Sequence, residues 1–232
     1  MKALIIIPAY NEEGAIVETI NNLKKNCKDV DYVIINDCSK DRTLEICKKN
    51  QFNVINLPVN LGIGGAVQTG YKYALKNNYD VAIQFDGDGQ HDITFVDTLI
   101  APILSKKANM TIGSRFVEGS TSEFKSTKAR QMGIKLISSF IHFFTGRKLY
   151  DVTSGFRAID KSLIKEFASS YPYEYPEPIS TTKILKAGKI VDEVPVKMSE
   201  RQGGVSSIHS WKNVYYMINV LMSIINIGIW RD

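Results

Sequence analysis

Val81-Ala82-Ile83-Gln84-Phe85-Asp86-Gly87-Asp88-Gly89-Gln90-His91-Asp92, residues 81–92, is an apolar run that stops abruptly on alternating acids and glycines. Val81–Phe85 is short, apolar and non-alternating, as a strand buried on both faces is. The same kind of run recurs upstream at Leu4–Ile7, Tyr32–Ile35 and Asn53–Leu57, and downstream at Met110–Gly113. Between them lie the amphipathic stretches Glu12–Lys25, Thr43–Lys49, Gly64–Lys76 and Ile93–Leu104. Strand and helix in this rhythm predict an α/β fold: a mostly parallel, Rossmann-like sheet flanked by helices. Right-handed crossovers bring the loops after the strands to one edge, where ligands of such sheets bind. Those loops are polar or glycine-rich: Pro8–Glu13, Asn36–Asp41, Asn60–Gly65 and Asp86–Asp92.

The chemistry is densest in the last of them. Asp86 and Asp88 alternate at a strand end, so both carboxylates can point the same way. Two such carboxylates repel unless a cation or a proton lies between them. Hard oxygen ligands suit Mg²⁺ or Mn²⁺, and Gln90 adds a neutral oxygen. Gly87 and Gly89 let a ligand approach the backbone. The bland alternative is a solvated turn with capping aspartates. Asp37 ends the second strand in the same manner and can accept from a nucleobase or ribose; Asp41 is the better-placed cap for the next helix, leaving Asp37 free. The loop containing Gly62 can offer backbone N–H groups to phosphate at a helix N-terminus. It is not the G-x-G-x-x-G dinucleotide fingerprint.

Size and composition set the bounds. The chain has 232 residues, 44% hydrophobic and 23% charged, which suits a globular protein with a full core. The net charge of +5 reads as solubility, with attraction to phosphates or an acidic membrane surface second, and no nucleic-acid partner is expected. Cys27, Cys38 and Cys47 have no paired spacing, which argues against a disulfide framework or a zinc site. The opening apolar run is too short for a signal peptide and reads as the first strand.

The second half has another character. Residues 114–128 are polar and read as a loop, and residues 129–145 as a markedly apolar helix. A short helical region and a strand-like Ile190–Val196 follow. Glu177, in Tyr175-Pro176-Glu177-Pro178, is the candidate for a general base or for positioning an acceptor; its alternative is the first-turn acid of a helix. Val214–Trp230 is apolar but striped by Asn219, Ser223 and Asn226, near the lower limit for a span. It fits an amphipathic helix lying in a membrane interface or against a partner subunit.

Seven stretches, taken together, carry a resemblance: IIIPAYNEE at 5–13, VIINDCSKDRT at 33–43, NLGIGGAVQTGYKYA at 60–74, FDGDGQHD at 85–92, GSRF at 113–116, DVTSGFRAID at 151–160 and VPVKMSERQGGVSS at 194–207. The chain resembles the family-2 glycosyltransferases of GT-A fold, and within them the polyprenyl-phosphate, dolichol-phosphate mannose synthase-like branch. The resemblance implies an inverting, metal-dependent transfer of a hexose or N-acetylhexosamine from a UDP- or GDP-sugar to a polyprenyl phosphate (undecaprenyl or dolichyl). It would take place at the cytoplasmic membrane face. Pro8, Tyr10 and Glu12 resemble the nucleotide-contacting first loop and Asp37 the base-binding aspartate. Asp86, Asp88 and Gln90 resemble the metal and diphosphate site. Arg115, Arg130 and Arg201 match arginines placed on phosphates, Arg115 and Arg201 joining Asp88 and Glu177 as catalytic candidates. Near Arg130 the chain departs from the pattern: Gly133 and Ile134 stand where a serine is expected. Implied domains are a GT-A unit at 1–205, with a nucleotide-sugar half at 1–115 and an acceptor half at 116–205, and a membrane- or partner-associated helix at 206–232. Partners would be the membrane surface and a small membrane protein or a second copy. A hydroxyl acceptor, and a non-catalytic nucleotide-binding recruitment subunit, are the alternatives; a sugar nucleotidyltransferase lacks its glycine-rich, arginine-containing first loop.

Overall fold

A computed structural model describes residues 1–27, 29–87, 90–122, 128–198 and 210–229. Four strands form the first half of the sheet: β1 (Ala3–Ala9), β2 (Asp31–Asn36), β3 (Val54–Asn56) and β4 (Val81–Gln84). β1 pairs in parallel with β2 and β4, and β2 with β3. The crossovers are α1 (Ile16–Asn26), α2 (Thr43–Lys49) and α3 (Gly62–Lys76). The expected helix from Glu12 begins four residues later, because the Glu12 carbonyl accepts from both the Ala15 and Ile16 amides and closes a turn first. After β4 come α4 (Val96–Leu104), β5 (Met110–Ser114), β6 (Thr121–Ser122) and α5 (Lys128–Thr145). The chain continues through β7 (Arg157–Asp160), α6 (Lys161–Ser169), α7 (Pro176–Lys186), β8 (Val191–Pro195), β9 (Lys197–Met198) and α8 (Ser210–Ile229).

The seven-stranded sheet has the order β3-β2-β1-β4-β7-β5-β8. β7 is its one antiparallel member and lies between β4 and β5, so those two strands, both expected in the sheet, do not touch directly. The sequence predicts only a short helical region around β7. Its four residues, Arg157-Ala158-Ile159-Asp160, carry no apolar run, and two long-range pairings make them a strand. β6 and β9 pair as a separate two-stranded ribbon, β6 falling within the stretch read as loop.

Alternation along β1 sends neighbouring side chains to opposite faces. Leu4 and Ile6 enter a core with residues of α3, α5, α6, α7 and α8; Ile5 and Ile7 enter a second core under α1 and α4. All four are fully buried, each worth about 1.5–3 kcal/mol of transfer free energy. Val220 and Ile224 on α8 are also fully buried, in the first core beside Ile137 and Ile141 of α5. The inner face of the last helix is thus part of the body of the protein. No described helix is long and apolar enough to cross a membrane.

Candidate active site

The carboxyl ends of β1, β2 and β4 and the first turn of α7 meet on one edge of the sheet. Asp86 follows β4 with its side chain 34% exposed. His91, almost wholly buried between Phe85 and Phe156, brings Nε2 to 3.4 Å from Asp86 Oδ2. On another side the backbone of Gly155 closes in: a Cβ there would lie 2.6 Å and 2.9 Å from the two Asp86 oxygens. The carboxylate is thus held between an imidazole and a bare backbone, with part of its surface turned outward. Gln90 is half-buried in the same loop. A carboxylate and a carboxamide are hard oxygen donors, which fit Mg²⁺ or Mn²⁺ better than a softer ion. Among the described residues no three His, Cys, Asp or Glu side chains converge as a metal cluster. The second carboxylate of the expected set, Asp88, lies outside the described residues.

The first loop touches this centre. A Cβ on Gly87 would stand 3.4 Å from the Pro8 carbonyl oxygen and 4.0 Å from Glu12 Cγ, and Thr19 Oγ1 donates to the Gly87 carbonyl at 3.1 Å. Pro8 is buried at the end of β1, Tyr10 is 42% exposed beyond it, and the Glu12 amide donates to Thr43 Oγ1 at 2.8 Å. Asn11, Cys38 and Tyr175 all hold left-handed backbone in the loops of this edge. Such conformations cost energy and persist where tertiary structure over-determines them.

Asp41, expected as the cap of α2, stands one residue before the N-cap Arg42 and accepts from the Thr43 amide at 2.9 Å and from the Glu13 amide at 3.1 Å. Asp37 is not left free, however. It is 4% exposed, and its Oδ1 accepts from the Leu61 amide at 2.7 Å, just ahead of Gly62, which opens α3 with φ +73°. Burial raises the Asp37 carboxyl, and the Leu61 and Gly62 amides pull it back down. The sequence could place Asp37 in the right loop but could not show a donor 24 residues away.

Arg115 follows β5 and is spent inside the protein. Its Nε and Nη2 each donate to Asp151 over 2.6 Å, Nη2 also reaches Thr153 Oγ1 at 3.3 Å, and Nη1 faces Met198 Sδ at 3.6 Å. The two side chains are 6% and 0% exposed, a buried bidentate pair. The expectation that Arg115 is presented to a phosphate therefore meets a guanidinium already occupied by a carboxylate of its own chain. Glu193 supports the partner, accepting from the Tyr150 and Asp151 amides at 2.7 Å each. Arg201 lies outside the described residues, as does the side chain of Arg130 on α5.

Glu177 is an acid in the first turn of α7, the alternative given for it, and its side chain reaches the end of β4. Gln84 Nε2 donates to its Oε1 at 3.2 Å. Arg157, 2% exposed, anchors that turn: Nη1 donates to the Glu177 carbonyl at 3.0 Å and to Thr181 Oγ1 at 3.1 Å. The same guanidinium holds the Ser154 and Val152 carbonyls at 2.7 and 3.0 Å, fixing the loop that carries Gly155 behind Asp86. The sequence assigns no role to Gln84, His91, Asp151, Gly155 or Arg157, although His91 lies in the acidic stretch 81–92, Asp151, Gly155 and Arg157 lie in the stretch 151–160, and Gln84 is a glutamine ending an apolar strand.

The family model described as Glycosyl transferase family 2 matches residues 4–167. The UDP-N-acetylglucosamine–dolichyl-phosphate N-acetylglucosaminyltransferase of Methanococcus voltae is 34% identical over 213 residues, covering 83% of this chain and 84% of that one. The polyprenol monophosphomannose synthase of Mycolicibacterium smegmatis is 26% identical over 218 residues, covering 89% and 81%. Among solved structures, glucosyl-3-phosphoglycerate synthase from Mycobacterium tuberculosis, in complex with Mn²⁺, UDP-glucose and phosphoglyceric acid, superposes with a TM-score of 0.68. At 17% identity, over 100% of this chain and 81% of that one, the likeness is one of fold.

Proposed function

The chain belongs to glycosyl transferase family 2, and from that premise we propose that it moves a hexose or N-acetylhexosamine from a UDP- or GDP-sugar to the phosphate of a polyprenyl phosphate, with inversion. The observation that carries the reading is Asp86: a carboxylate turned partly outward just after β4, beside Gly87, which the loop of Pro8 and Glu12 approaches, and near enough to Glu177 in the first turn of α7 for its charge to act there. Relatives named for dolichyl-phosphate and polyprenol transfer support a lipid phosphate as acceptor.

Roles follow from position. Pro8, Tyr10 and Glu12 border the nucleotide, and Asp37 accepts from its base or ribose through the oxygen that Leu61 does not use. The first turn of α3, which Gly62 opens, would lie toward the phosphates, although the Gly62 amide itself donates to Asn60 Oδ1 at 3.1 Å. Asp86, Asp88 and Gln90 would hold Mg²⁺ or Mn²⁺, which when bound offsets the charge developing on the departing nucleotide diphosphate. Arg130 and Arg201 would meet the acceptor phosphate, and Arg115, through Asp151, shapes the wall behind them. A lipid phosphate oxygen is already ionised near neutral pH, so this chain need not supply a strong general base. The test is a panel of UDP-glucose, UDP-N-acetylglucosamine and GDP-mannose with either metal and a short polyprenyl phosphate. Sugar label extracted into organic solvent, with the matching lipid mass, is the expected result. Label found only on a water-soluble hydroxyl acceptor would refute the lipid-phosphate reading.

We propose further that the outer faces of α5 and α8 rest on the cytoplasmic membrane surface. Met132, Leu136 and Phe143 on α5 are 71, 44 and 81% exposed, and Tyr215, Ile218, Met222 and Ile229 on α8 are 55–66% exposed. Neither helix contains an Asp or Glu, so nothing acidic opposes an anionic surface. The protein should float with vesicles containing anionic lipid. Changing Phe143 and Met222 together to Ser should cut the bound fraction by about tenfold or more, since each buried side chain is worth roughly 1.5–3 kcal/mol. Equal flotation of that variant would refute the assignment.

A further inference from the structure

Glu177 and Gln84 form a pair to which the reaction, as proposed, gives no task. Gln84 closes β4, is 1% exposed, and donates through Nε2 to Glu177 Oε1. Its own Oε1 finds no hydrogen-bond partner among the described residues, so Glu177 is what orients the amide. Gln84 ends β4 two residues before Asp86, so the hydrogen bond from Gln84 holds Glu177 at the same strand end. Glu177 therefore stands near Asp86. Burial raises its carboxyl most, Arg157 lowers it and Asp86 raises it again. The position is fixed from behind as well, because Arg157 grips the Glu177 carbonyl and Thr181.

A carboxylate beside Asp86 is badly placed to hold a phosphate, since like charges disfavour one another. It is not needed as a base when the nucleophile is an ionised phosphate. The donor has one uncharged part next to its diphosphate: the sugar, a ring of hydroxyl donors. A carboxylate, which only accepts, complements adjacent hydroxyls, and such charge-assisted bonds are strong. We infer that Glu177 is the specificity residue that accepts hydrogen bonds from hydroxyls of the transferred sugar, and that Gln84 is the positioning residue that holds it there. The inference rests on the proposed transfer from a nucleotide-sugar to a lipid phosphate.

The test compares what the sugar adds to nucleotide binding. Dissociation constants are measured for UDP and GDP, and for UDP-glucose, UDP-N-acetylglucosamine and GDP-mannose, with the wild-type chain and with Glu177→Ala, Glu177→Gln and Gln84→Met. For whichever donor the wild type transfers, the affinity gained from the sugar should fall about tenfold or more in Glu177→Ala. It should fall several-fold in Gln84→Met and least in Glu177→Gln, which keeps an accepting oxygen. Affinity for the bare nucleotide should change less than twofold in all three. Removing the contacted hydroxyl from the donor should erase the difference between wild type and Glu177→Ala. An unchanged sugar increment in Glu177→Ala would overturn the inference. So would a thousandfold loss of kcat in Glu177→Gln at saturating donor, which marks a base. A wild type that transfers sugar yet shows either result sinks this inference alone; a wild type that binds no nucleotide-sugar sinks the proposed reaction with it.

Discussion

Asp86→Asn is expected to lower kcat by about a thousandfold while the protein stays folded. The argument is electrostatic. In the proposed reaction Asp86 would help hold the divalent cation that offsets the charge on the departing diphosphate, and losing that hold would remove several kcal/mol of stabilisation, each 1.36 kcal/mol being a factor of ten. Stability should hold because Asp86 raises the nearby Glu177 carboxyl, so neutralising it relieves a repulsion. Gly155→Ala is the steric companion. Its Cβ would fall 2.6 Å from Asp86 Oδ2, and Gly155 is not among the glycines at positive φ, so the substitution displaces the carboxylate without straining the backbone. A misplacement of that size costs on the order of a hundredfold in rate. Steady-state kinetics beside a thermal melt check both variants. Wild-type turnover in Asp86→Asn would remove this loop from the reaction.

The largest stability effect is expected at Asp151. Asp151→Asn keeps the shape but leaves the Arg115 guanidinium, whose side chain is 6% exposed, without its counter-charge. Breaking a buried pair from one side costs about 3–5 kcal/mol. For a chain of this size that is a drop of roughly 10 °C in Tm. Adding Arg115→Met should recover a good part of the loss, because the stranded charge is then gone. Urea unfolding of the wild type, both single variants and the double variant gives the coupling directly. A loss under about 1 kcal/mol in Asp151→Asn would mean that the pair is solvated in solution and Arg115 is available to a phosphate. In that case Arg115→Met would raise the acceptor KM without unfolding the protein.

The two outcomes bear on how far the sequence could be read. Its first half was legible because its signals are local. Leu4–Ile7, Tyr32–Ile35 and Val81–Phe85 are short β-branched runs, and each is followed by a polar loop that a parallel sheet must carry to one edge. Asp86 and the Pro8–Glu13 loop could therefore be placed on the same edge from the sequence, while their adjacency comes from the pairing of β1 with β4. The hydrogen bond of Asp41 at the start of α2 was legible for the same reason, since its partner is two residues away. β7 was not, because Arg157–Asp160 is a strand only through its pairing with β4 and β5.

The site divides along the same line. Sequence determined the acidic loop, the glycine-opened helix and the parallel sheet that carries such loops to one edge. Only the tertiary structure decided that Asp37 is engaged by Leu61, that Arg115 is spent on Asp151 36 residues away, and that Gln84 meets Glu177 across 93 residues. Side-chain partners at such separations are chosen by how helices and strands pack, and no local pattern of residues records that choice.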